Sequence, residues 1–186
     1  MSSVKKATIT ALCVALCAVL PLVFHLVGLG AAFSPLHLPV LLCGLVCGWP
    51  YGLFCGIAGP VISSLTSGMP AALQLVHMIP ELAAYGFFAG LFYRLIHTGS
   101  TLADLLLSLV PAMVLGRVIG GAVQAVFYLS TAREYSLALW ATGYVVGTLP
   151  GVAAQLVVLP LLVTVLTQAK LIPPRYAGGE QKGGAA

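Results

Sequence analysis

Apolar residues run through this chain in long blocks, and the points where proline, glycine or charge interrupts them mark out its elements. The first block, Ala7 to Gly28, follows the Lys5-Lys6 pair and is long enough to span a bilayer. It lacks a convincing cleavage site, so it predicts a first helix rather than a removable leader. The second block, Ser34 to Gly68, is 35 residues with no formal charge unless His37 is protonated. As one helix it would be roughly 52 Å long, well beyond a hydrocarbon core of about 30 Å, so it must turn back on itself. Gly48-Trp49-Pro50 is the natural break, leaving two short segments at about 36–48 and 51–66. Interrupted segments leave backbone groups unpaired, and these persist at membrane depth only inside protein or along a cavity. The hairpin is therefore expected to wall a binding cavity.

Met69-Pro70 opens a fourth helix running to about His97, with a kink expected at Pro80. Thr101–Leu129 predicts a fifth helix, and Ser136–Lys170 a sixth, interrupted near Pro150-Gly151 and at Pro160. The expected architecture is an all-α integral membrane protein with six transmembrane helices, the second and third short and broken. Residues 1–170 form one transmembrane domain. Residues 171–186, rich in proline and glycine, are expected to be a flexible cytoplasmic tail.

Composition narrows the class. The 186 residues are 60% hydrophobic and 6% charged, and the mean hydropathy is +1.09, which excludes an ordinary soluble domain. The formal net charge of +4 would suggest nucleic acid in a soluble protein. Here the basic residues sit mainly at the ends of apolar segments, where they orient a chain in the membrane. With six spans, Lys5, Lys6, Arg94, Lys170, Arg175 and Lys182 fall on the side of both termini, against Arg133 on the other. Both termini are thus expected to be cytoplasmic. Cys13, Cys17, Cys43, Cys47 and Cys55 lie inside apolar segments rather than in loops, which suits packing better than disulfides. Cys43 and Cys47 have no histidine or acid in their segment to complete a metal site.

Polar residues inside apolar helices carry the most information, because each needs a partner or a ligand. Three stripes stand out. Gln74, His77, Glu81 and Tyr85 follow at i, i+3, i+7 and i+11 on one face of the fourth helix. Arg117, Gln124 and Tyr128 share a face of the fifth, with Gly120 and Gly121 thinning the wall between them. Trp140, Tyr144, Thr148 and Gln155 mark the sixth. These stripes are expected to meet in one outward-facing pocket, with His37 beside it in the outer loop. Glu81 and Arg117 fall at nearly the same depth and can pair. Either the pair is a helix clamp, or one member also meets a polar ligand group. Glycines recurring four apart, as at Gly48, Gly52 and Gly56 or Gly86 and Gly90, predict close helix packing. No GxSxG, HExxH or acidic cluster occurs, and no phosphate-binding glycine loop, so neither a catalytic constellation nor ATP hydrolysis by this chain is expected.

Several of these residues together resemble a known family, the substrate-binding S components of energy-coupling factor (ECF) vitamin transporters. The resemblance covers the chain to about Lys170 and rests on six hydrophobic segments in this length. It rests too on the Ala7-x3-Ala11-x3-Ala15 ladder and on SPLHLPVLLCGLVCGWPYG followed by MIPELAAYGFFAGLFYRL. It implies capture of a vitamin or precursor at the outer face and uptake with a transmembrane T subunit driven by two ATPases. The setting it implies is a bacterial or archaeal cell membrane, with no cofactor, metal or nucleic acid. Ala7, Ala11 and Ala15 become the face that docks the T subunit. His37, Gln74, His77, Glu81, Tyr85, Arg117, Gln124, Tyr128, Trp140 and Tyr144 become candidate ligand contacts. Two other classes stay open: a stand-alone facilitator or proton-coupled carrier with Glu81 as its proton site, and an intramembrane enzyme built around His77 and Glu81.

Overall fold

The structure, a computed structural model, describes residues 1–26, 28, 35–130 and 148–176. Among the described residues it has six helices and no strand. They are α1 (Ser3–Leu26), α2 (His37–Cys47), α3 (Trp49–Ser67), α4 (Ala72–Leu95), α5 (Thr101–Ser130) and α6 (Leu149–Gln168). Four of them, α1, α4, α5 and α6, are long and apolar enough to cross a membrane. With 11 residues, α2 is too short to cross one alone.

The hairpin breaks where proline and glycine chemistry requires. Gly48 takes φ 97° and ψ 169°, between the last residue of α2 and the first of α3. An L side chain rarely adopts that φ. Pro50 follows in the first turn of α3, where its missing N–H would have had no helical partner in any case. At the far end of α3, Gly68 closes the helix in the left-handed region and donates its N–H to the Ser64 carbonyl. The hydroxyls of Ser63 and Ser64 donate to the carbonyls of Met69 and Pro70 at 2.7 and 2.8 Å, which fixes the entry into α4. Helix α4 runs through Pro80 as one element. Of the expected sixth helix, residues 136–147 lie outside the described residues, and α6 begins at Leu149 with Pro150 in its first turn.

Helix α4 is the hub, packed against α2, α3 and α5, while α1 lies on α2 and α3. The close approach is made at glycines. A Cβ on Gly52 would lie 2.6 Å from Gly44 Cα on α2 and 2.7 Å from the Gly86 carbonyl carbon on α4, so three backbones meet at one point. The five cysteines are buried and free, and they fill the seam where α1 meets α2 and α3. Cys43 Sγ there contacts Thr10 Oγ1 at 3.5 Å.

The segment after α6 does not trail away at once. Lys170 turns the chain at φ 57°, Ile172 is buried, and Arg175 and Tyr176 fold back onto the start of α5. Asp104, in the first turn of α5 and fully buried, collects them: Arg175 Nε donates to Oδ2 at 2.5 Å, as does the Tyr176 hydroxyl. Thr98 donates its N–H and hydroxyl to Oδ1 at 2.8 and 2.7 Å. The Arg175 guanidinium also donates to the Ile96 carbonyl and stacks 3.9 Å from the Tyr93 ring centre. Residues 171–176, the beginning of the expected tail, are thus held against the α4–α5 turn.

Candidate functional site

At the opposite end of α2 from Gly48, its first residue, His37, points into the bundle with only 6% of its surface exposed. It meets α4. His37 Nε2 lies 3.6 Å from Glu81 Oε1, and the His37 ring sits 5.1 Å from the Tyr85 ring. One turn along α4 from Glu81, the Tyr85 hydroxyl donates to the same carboxylate oxygen at 3.0 Å. Glu81 is 3% exposed and Tyr85 1%, so this carboxylate is satisfied by protein groups rather than by bulk water.

Helix α5 completes the cluster. A Cβ on Gly116 would overlap the Tyr85 ring, so glycine there is the notch that lets the ring lie against α5. The neighbouring Arg117 brings its guanidinium into interaction with the Tyr85 hydroxyl. Arg117 Nη1 also donates to the hydroxyl of Thr148, just ahead of α6. Carboxylate, imidazole, phenol and guanidinium from three helices therefore converge inside an apolar bundle. An always-charged guanidinium with five donors can hold an anionic or carbonyl group besides these neighbours.

The other expected contacts are distributed around this centre. His77 is half-buried one turn before Glu81, whereas Gln74 is exposed. Gln124, two turns after Arg117, has a buried Oε1 without a hydrogen-bond partner among the described residues. Tyr128 is half-buried and meets the Phe127 ring edge to face. Gln155, from the third stripe, is buried on α6. Trp140 and Tyr144 lie outside the described residues. Ala7, Ala11 and Ala15 are all exposed along one face of α1, flanking the buried face of Thr10, Cys13, Val14 and Cys17. Among the described residues no group of three histidines, cysteines or acids is placed to hold a metal ion.

Two features escaped the reading of the sequence. Gly116 had a signal in its four-residue spacing to Gly120, but that spacing does not reveal the aromatic ring it accommodates. Asp104 had none beyond its position at a helix start, because Arg175 and Tyr176 are remote in sequence.

This fold and this site define a polytopic helical membrane protein with a small polar centre buried between its helices. The chain belongs to the family of the substrate-specific component of ECF transporters, whose model matches residues 5–163. No curated protein and no solved structure matches it. The family is that of a transport component rather than of an enzyme, and membership makes the protein a substrate-specific uptake component.

Proposed function

We propose that this protein captures a small water-soluble vitamin or precursor from the outer side of a cell membrane. It delivers that ligand inward with an energising module of one T subunit and two ATPases. The carrying observation is the convergence of His37, Glu81, Tyr85 and Arg117 in a chain of this family. In this reading the chain crosses the membrane six times with both termini cytoplasmic. Arg117 holds an acidic or strongly hydrogen-bonding group of the ligand, exchanging part of its hold on Thr148 for the ligand. Gln124 Oε1, a buried acceptor, takes a donor from the same ligand. His77 and Tyr128 line the approach, and the flatter part of the ligand lies against Trp140 and Tyr144. Gln74, exposed, stands at the rim.

Thermal-shift screening of the purified protein against water-soluble vitamins identifies the ligand class. Arg117→Gln then tests the site: the affinity of that ligand should fall by about 1–3 kcal/mol with the bundle still folded. Unchanged affinity in Arg117→Gln, with binding abolished in Glu81→Gln, would replace an anionic ligand by a cationic one. The His37–Glu81 pair favours one second reading, a proton-coupled carrier working alone. Uptake in cells lacking any T subunit separates the two, since only the carrier would continue to transport.

A further inference from the structure

At the end of the bundle away from His37, two adjoining cavities of about 350 and 200 Å³ open between the start of α1, the end of α6 and the segment after it. Ile172, Pro173 and Pro174 form a wall common to both. The larger cavity is flanked by Lys5 and Lys170. The smaller runs inward to apolar side chains of α2 and α6, Leu45, Val46 and Val163. Together they make a groove with a cationic mouth and an interior in which these apolar side chains lie beside Thr101, Thr167 and the Asp104-paired Arg175.

The charge at the mouth is not neutralised within the described protein. No acidic residue lines either cavity. Of the acids among the described residues, Glu81 sits with His37, and Asp104 is committed to Arg175, Tyr176 and Thr98. That commitment has a second effect, because Arg175 and Tyr176 pin the Ile172–Pro174 wall to the α4–α5 turn. The groove is therefore built by a buried ionic clasp and does not depend on a loose tail. A lysine ammonium at the edge of a hydrocarbon layer, beside an apolar slot, complements an anionic headgroup with its acyl chain inserted.

We propose that this groove is a binding site for an anionic phospholipid, with the phosphate between Lys5 and Lys170 and an acyl chain against Val46 and Val163. The site stands apart from the ligand centre around Arg117 and does not rest on what that centre binds. Native mass spectrometry of the detergent-purified chain, titrated with phosphatidylglycerol or phosphatidylcholine of matched chains, tests it. Phosphatidylglycerol should be retained selectively. Lys5→Gln with Lys170→Gln should weaken its retention roughly 30-fold, the size expected for two lysines near a lipid phosphate. Arg94→Gln, an exposed basic residue outside the groove, should leave retention unchanged. Val46→Phe, which fills the apolar slot without touching charge, should also weaken retention. Equal retention of the two lipids, or wild-type retention in the double lysine variant, overturns the proposal. Competition by inorganic phosphate at equal concentration would overturn it too, reducing the groove to a simple anion site.

Discussion

Adding one methyl group at Gly52 tests the packing that positions the candidate site. The Cβ of Gly52→Ala would sit 2.6 Å from Gly44 Cα and 2.7 Å from the Gly86 carbonyl carbon, on two different helices. Ordinary carbon contacts are about 3.5–4.0 Å, so α3 must retreat by about 1 Å from backbones that cannot change rotamer to make room. Overpacking of this kind costs about 1–3 kcal/mol, and obstruction by backbone on both sides places it toward the upper end. The strain also reaches the site. Gly44 is two turns along α2 from His37, and Gly86 is five residues along α4 from Glu81. A shift of about 1 Å between those helices would stretch the 3.6 Å His37–Glu81 contact beyond ion-pair range. The measurement is unfolding of the purified protein in detergent, alongside ligand affinity, with Ile57→Ala as control. Ile57 is 45% exposed on the outer face of α3, so its loss should change stability by less than about 0.5 kcal/mol. Stability of Gly52→Ala equal to the wild type, within that margin, would refute the account of the three-helix contact.

Other consequences can be checked separately. Asp104→Ala should cost about 3 kcal/mol, since Arg175 would lose its buried anion, and trypsin should then cut after Arg175 faster in the folded protein. Tyr85→Phe removes one donor from the buried Glu81 carboxylate and should destabilise by about 1–3 kcal/mol, read by the same unfolding assay. Ala11→Leu, on the exposed face of α1, should abolish co-purification with a T subunit while leaving ligand affinity of the isolated chain unchanged.

What the sequence disclosed and what it withheld divide along a physical line. The α2–α3 break was legible because Gly48 and Pro50 act through their own backbone chemistry, whatever surrounds them. Glu81 and Tyr85 were legible as neighbours because helical periodicity puts i and i+4 on one face. His37 could be placed near the site from its position in the outer loop, but not as a partner of Glu81. That contact depends on how far α2 slides along α4, and the slide is set by Gly44, Gly52 and Gly86 meeting at one point. The same holds for the Asp104 clasp, which joins residues 71 apart in sequence through contacts that no local pattern encodes.

The two clusters also differ in the groups they use. Around Asp104 both carboxylate oxygens are supplied with donors, so its charge is spent on holding the chain together. Around Tyr85, Arg117 is half-buried and donates to the neutral Thr148 hydroxyl, and Gln124 keeps an acceptor without a partner among the described residues. A neutral Thr148 hydroxyl is a weaker partner for a guanidinium than a carboxylate would be, so an anionic ligand could replace it with a net gain. Because Arg117 donates to a hydroxyl that a ligand anion can replace, whereas Asp104 is paired with Arg175, replacing Arg117 should be felt first in ligand affinity and only second in stability.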